Sequence, residues 1–108
     1  QVRAIAEVAT VLKDFPDRKF LVTGHTDSVP IKSAKYADNW ELSAARALTV
    51  TKFLIENGIK PANLIAGGYG EYDPIGNNQG APGRQKNRRI EIILLPNIEE
   101  LPSLPESK

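Results

Sequence analysis

Three short clusters in this chain hold the side chains that could do chemistry. The first, Gly24-His25-Thr26-Asp27, follows directly on an apolar, β-prone stretch, Lys19-Phe20-Leu21-Val22-Thr23. Residues just past a strand end in an α/β sheet sit at the crevice where ligands commonly bind, which puts Asp27 in a position to act. His25 and Asp27 could pair as acid and base, or serve as two metal ligands. His25 is the sole histidine, however, and no serine or cysteine nucleophile signature accompanies it. The further ligands that a metal site needs cannot be assembled from the sequence. The plain alternative is a polar strand-end turn held by Asp and Thr hydrogen bonds.

The second cluster is Asn39-Trp40-Glu41-Leu42-Ser43-Ala44-Ala45-Arg46-Ala47. Ala47, Val50 and Leu54 recur at helical spacing, so Arg46 lies beside the buried stripe, near the start of the helix. If that helix packs across the sheet, its guanidinium reaches the strand end that carries Asp27. The two groups could neutralise each other as an internal ion pair, which contributes little when exposed. Alternatively they could bracket a zwitterionic ligand, Asp27 taking an ammonium and Arg46 a carboxylate in a fork geometry. Spacing alone favours the ion pair. Trp40, the only tryptophan, reads as a packing residue rather than a ligand platform.

In the third cluster, Arg84, Lys86, Arg88 and Arg89 put four positive charges within six residues. Such a run could contact nucleic acid, but no stacking aromatics interleave with it. It reads instead as a solvated loop followed by strand-edge arginines.

The elements that must position these clusters follow from periodicity and breakers. Residues 1–14 carry Val2, Ile5, Ala9 and Leu12 at helical spacing, with Ala6 and Val8 widening the apolar face, and Pro16 ends the helix. A buried strand over Lys19–Thr23, bounded by Gly24, opens a long polar connection over residues 24–38. Connections of that length in a compact domain tend to be functional. Asp38 followed by Glu41 reads as a capping box, with Asn39 as the alternative N-cap, and Asn57-Gly58 as the stop. Leu64–Tyr69 is a second strand, Gly70–Asn87 a loop with one helical turn near Arg84, and Arg88–Leu95 a third strand. In that last strand Ile90, Ile92 and Leu94 share one face, and Arg89 and Glu91 the other. The order implies an α/β sandwich with helices on one face of a small sheet. One domain spans residues 1–95, and Pro96, Pro102 and Pro105 punctuate an extended tail over 96–108.

Composition narrows the function classes. The 108 residues can fold around their own core. Fourteen basic and thirteen acidic side chains leave a formal charge of +1, against bulk capture of nucleic acid or anionic membrane. Cysteine is absent, which removes disulfides, thiolate metal sites and a cysteine nucleophile. No apolar run is long enough for a membrane helix, so membrane attachment would come through a segment outside this chain. The chain opens directly in a helical pattern, which suggests a piece of a longer protein.

Together the clusters resemble the OmpA-like domain family. The pattern Gly-His-Thr-Asp, then Asn-x-x-Leu-Ser-x-x-Arg-Ala-x-x-Val, then Gly-x-Gly, Asn and Gly-Arg-x-x-Asn-Arg-Arg is met in order. The matches are Gly24–Asp27, Asn39, Leu42-Ser43, Arg46-Ala47, Val50, Gly68, Gly70, Asn77 or Asn78, Gly83-Arg84 and Asn87-Arg88-Arg89. Local motifs, notably Thr-Asp-Ser-Val-Pro-Ile, look closer to the MotB-like branch. The resemblance implies a two-layer sandwich of helices on a small mixed sheet. It also implies non-covalent binding of peptidoglycan, at the diaminopimelate of its stem peptide, by an anchor in the periplasm. Asp27 would hold the amino group and Arg46 the carboxylate, with Asn39, Leu42 and Arg88 lining or supporting the pocket and Thr26 donating further hydrogen bonds. No cofactor, metal or catalytic residue is implied. On this resemblance the ligand bracket displaces the internal ion pair. The family fold normally begins with a strand before the first helix, so the sheet is expected to lack one strand. The final strand then has an edge open to pairing, including with a second copy of the chain in a homodimer. The competing readings are a hydrolase or metal enzyme using His25 and Asp27, and a protein-protein module with no wall ligand.

Overall fold

The computed structural model describes residues 2–96; the proline-rich tail from residue 97 onward lies outside them. The element order is α1 (Val2–Leu12), β1 (Phe20–His25), α2 (Asn39–Glu56), a single 3-10 turn (Pro61–Asn63), β2 (Leu64–Gly68), α3 (Ala81–Asn87) and β3 (Arg89–Leu94). The sheet runs β2-β1-β3, β1 parallel to β2 and antiparallel to β3. It is the small mixed sheet under helices that the sequence implies, with β3 at one edge.

Strand alternation decides what each face carries. Val22, Ala66 and Ile92 are register partners, as are Gly24, Gly68 and Ile90. On this face Val22, Ala47, Leu54, Ala9 and Ile59 form the core, with Ile5, Leu12, Val50, Leu64, Ile90 and Ile92 packed against it. The opposite face carries Leu21 between Ile65 and Ile93, then Thr23 beside Glu91, then His25 beside Arg89.

How α2 crosses the sheet is set by two glycines that are neighbours in register. A Cβ on Gly24 would lie 2.0 Å from the carbonyl oxygen of Ser43, and one on Gly68 2.5 Å from Ser43 Oγ. The helix backbone therefore rests directly on the sheet at Ser43. Ser43 Oγ accepts from the Gly70 amide at 2.9 Å, so the contact is also hydrogen-bonded. This seating carries the N-terminal turns of α2, with Asn39, Leu42 and Arg46, over the end of β1.

Both ends of α2 follow from local chemistry. Asp38 is the N-cap, its carboxylate accepting from Glu41 N at 2.9 Å. Glu41 does not close a reciprocal box; its Oε1 accepts from Ala37 N, one residue earlier. At the other end Gly58 sits at φ 101°, where a side chain is strained. Gly58 N donates to Ile55 O and Ile59 N to Leu54 O, a Schellman motif with Ile59 packed on Leu54 in the core.

Several expectations need correction. β1 runs on through Gly24 to His25, because Tyr69 N→Gly24 O and Thr26 N→Gly70 O continue its pairing with the chain beyond β2. The polar connection thus begins at Thr26. α3 is a seven-residue helix rather than one turn near Arg84, and Pro82 occupies its first turn, where its missing N–H costs nothing. Val8 is exposed, so it does not widen the buried face of α1. Trp40 is 50% exposed, stacked on Tyr72 at 5.3 Å rather than packed in the core.

Candidate functional site

A cavity of about 410 Å³ opens where the end of β1, the start of α2 and the α3–β3 junction meet. Thr26, Asp27, Asn39, Leu42, Arg46 and Arg88 all line it, so the six residues that the resemblance implied for a pocket come together in one place. Val29, Pro30, Ile31 and Arg84 complete the wall. Of these, Arg84 belongs to the third basic cluster but was expected in a solvated loop, and Val29, Pro30 and Ile31 were not singled out as site residues. The apolar run Val29-Pro30-Ile31 inside an otherwise polar connection was the available signal.

Asp27 is buried, and its carboxylate is held on both oxygens. Oδ1 accepts from Val29 N at 3.0 Å, a local turn of the kind Asp favours. Oδ2 is paired with Arg88 Nη1. The internal partner of Asp27 is thus Arg88, not Arg46 as spacing alone suggested. Arg46 is exposed and has no carboxylate within ion-pair distance among the described residues. A carboxylate accepts at about four lone-pair positions, so Asp27 keeps capacity for a ligand donor beside the two contacts it has.

Asn39 fixes the backbone around Asp27. Its Nδ2 is directed at the carbonyls of Asp27 (3.2 Å) and Val29 (3.1 Å) and at Glu71 Oε1 (3.4 Å). Thr26 donates its hydroxyl to the Asp27 carbonyl at 2.8 Å, so its geometry in this state serves the turn itself. Leu42 adds an apolar wall. Arg46 and Arg88 also border a second groove of about 750 Å³, between α1, α2 and β3, but its other walls are largely apolar and contain no carboxylate.

His25 lies elsewhere. Gly24 faces α2, so alternation turns His25 to the far face of the sheet, 1% exposed and stacked on Tyr69 at 5.0 Å. Its Nε2 is 2.9 Å from Thr23 Oγ1 and 4.0 Å from Glu91 Oε1, and it does not line the cavity. Among the described residues no group of His, Cys, Asp and Glu could hold a metal ion.

Burial, reinforced by the nearby Arg89 guanidinium, lowers the His25 pKa from its ordinary 6.5, against the opposing pull of Glu91 and Asp73. The folded state therefore holds its proton less tightly than the unfolded chain. Stability from neutral His25 is complete above pH 6.5 and is lost as pH falls below that value toward the lowered folded pKa. Chemical denaturation as a function of pH should show this loss, and His25→Gln should flatten the curve just below pH 6.5. An unchanged slope in the variant would mean that His25 does not report this linkage.

With the geometry in view, comparison with known proteins decides the lineage. A profile of the OmpA family matches residues 1–88. The chain belongs to the OmpA family. Motility protein B of Bacillus subtilis (strain 168) is 44% identical over 91 residues, covering 83% of this chain and 35% of that protein. The peptidoglycan-binding protein ArfA of Mycobacterium bovis is 36% identical over 87 residues, covering 81% of this chain and 26% of that one. The crystal structure of the periplasmic domain of Helicobacter pylori MotB superposes with a TM-score of 0.84 at 31% identity, covering 92% of this chain and 64% of that one. The chain thus spans about a third or less of the two relatives' full lengths, and the OmpA-family fold with MotB-like members as neighbours is what it shares with them.

Proposed function

We propose that this OmpA-family domain binds peptidoglycan non-covalently in the 410 Å³ cavity and so anchors a longer protein to the cell wall from the periplasm. The observation that carries the reading is the charge arrangement: one buried carboxylate, Asp27, shares a concave wall with the exposed guanidinium of Arg46, which has no carboxylate partner among the described residues. The zwitterionic carbon of diaminopimelate presents an ammonium and a carboxylate together. Asp27 accepts from the first and Arg46 grips the second in a planar fork. Arg88 holds the Asp27 carboxylate and Asn39 the backbone around it, and Leu42 with Val29, Pro30 and Ile31 shields the contacts from water. The relatives support the ligand, since one is named for binding peptidoglycan.

Binding without catalysis fits the position of His25, whose ring is turned to the face opposite the cavity. Purified sacculi incubated with the domain should sediment it, with no soluble muropeptide released. His25→Ala should leave this binding within a few-fold. Release of muropeptide that His25→Ala abolishes would establish a hydrolase instead, and failure to sediment with sacculi would remove the wall ligand.

A further inference from the structure

The charge balance of the same cavity carries one step more, resting on the peptide-binding reading above. Its lining sets three guanidiniums, Arg46, Arg84 and Arg88, against one carboxylate, Asp27. Glu71 meets Asn39 from outside that lining. Arg88 takes Asp27, and neither Arg46 nor Arg84 has a carboxylate within ion-pair distance among the described residues. Arg84 is nevertheless fixed in place. Its Nη1 donates to the Asn78 carbonyl at 3.1 Å, and Asn78 is itself held by Asn87 Nδ2 at 2.7 Å. That contact uses one edge of a guanidinium with five N–H donors.

A zwitterionic ligand carbon brings one negative and one positive charge. Seating it leaves the excess of two positive charges unchanged, three guanidiniums less one carboxylate. Like charges gathered on a concave, partly apolar wall repel one another more than they would in open water. A ligand that supplies another carboxylate relieves that repulsion, whereas a carboxamide brings no charge, keeps one acceptor oxygen and sets its NH2 against one arm of the guanidinium fork. We propose that Arg84, together with Arg88, forms a second carboxylate subsite. The cavity then selects stem peptides that carry a free carboxylate beside the zwitterionic centre and discriminates against their amidated forms. The discrimination is attractive toward one ligand and repulsive toward the other, as specificity generally requires.

The test uses two synthetic diaminopimelate-containing stem tripeptides with the same intact zwitterionic end. One keeps its remaining carboxylates free, and the other carries them as carboxamides. By titration calorimetry the domain should bind the free form about 10- to 100-fold more tightly, the range for losing a charged hydrogen-bonded contact. Arg84→Gln should bring the two affinities to within a few-fold, mainly by weakening the free form. Arg84→Lys, which keeps a donor for Asn78 and the charge but loses the fork, should retain part of the preference and serves as the working variant if Arg84→Gln does not fold. Equal binding of both peptides by the unaltered domain would overturn the subsite while leaving peptide binding intact. Parallel weakening of both peptides by Arg84→Gln would reduce Arg84 to a scaffold and also overturn it. If neither peptide binds, the peptide-binding reading itself falls, and the subsite with it.

Discussion

Asp27→Asn should weaken sacculus binding by about 2 to 5 kcal/mol, the usual cost of truncating one partner of a buried charged contact. The same change should do far less to folding. Asparagine keeps an oxygen to accept from Val29 N, so the local turn survives. What is lost internally is the pairing of Arg88 with the buried Asp27 carboxylate, but the Arg88 side chain is 44% exposed and takes water in its place. The neutral asparagine leaves no unpaired buried charge, so the cost to folding should stay at about 1 kcal/mol. Arg46→Lys should separate the two effects more cleanly. Arg46 is exposed and without a carboxylate partner among the described residues, so its melting temperature should barely move. Its binding should still fall, because lysine retains the charge and loses the planar fork. Co-sedimentation with sacculi, normalised to folded protein by circular dichroism, reads both quantities. A large drop in melting temperature with unchanged binding per folded molecule would make the Asp27 cluster structural and move the ligand elsewhere.

The two arginines also show what the sequence could and could not say. That Asp27 and Arg46 line one cavity was legible, because a strand end and the first turns of the following helix are adjacent once the helix packs on the sheet. Which guanidinium pairs with Asp27 was not legible. Arg88 lies 61 residues away in the chain and reaches the site only through antiparallel pairing of β3 with β1. Periodicity located α1, α2 and the three strands to within a residue or two, since their apolar stripes and breakers are strong. It misjudged Gly24 as a terminator, because a glycine inside a strand looks the same in sequence as one that ends it. The reason for that glycine is the approach of the Ser43 backbone, a tertiary contact. α3 was underestimated for a related reason. Ala81-Pro82-Gly83 contains two poor helix formers, and the turn holds because of what Asn87 and Gly83 touch across the loop.

Asn87→Ala should be among the most damaging single changes in the chain, although Asn87 carries no charge and does not line the cavity. Asn87 is fully buried. Its Oδ1 accepts from the amides of Ile75 and Gly76, both at 2.7 Å, and its Nδ2 donates to Gly76 O at 3.0 Å and Asn78 Oδ1 at 2.7 Å. It clamps the loop before α3 onto the helix end. Gly83 allows the approach, since a Cβ there would meet Asn77 O at 2.0 Å. Alanine would strand two backbone donors and one carbonyl, each costing about 1 to 3 kcal/mol unless water replaces the amide. With partial rescue by water, a net loss of about 2 to 4 kcal/mol is expected, which lowers the melting temperature of a domain this size by roughly 10 to 20 °C. Binding should suffer as well. Asn78 supplies the acceptors for Arg84 Nη1 and for Ser28 N, so loosening it frees an arginine of the cavity wall and the backbone next to Asp27. Asn87→Asp separates the two roles, because it keeps the oxygen that Ile75 and Gly76 need but replaces the donor with a buried charge. Calorimetric melting of both variants, followed by sacculus binding of whatever remains folded, checks the account. A melting temperature within a few degrees of the parent for Asn87→Ala would show that the loop holds its shape without the clamp, and the positioning of Arg84 would then need another cause.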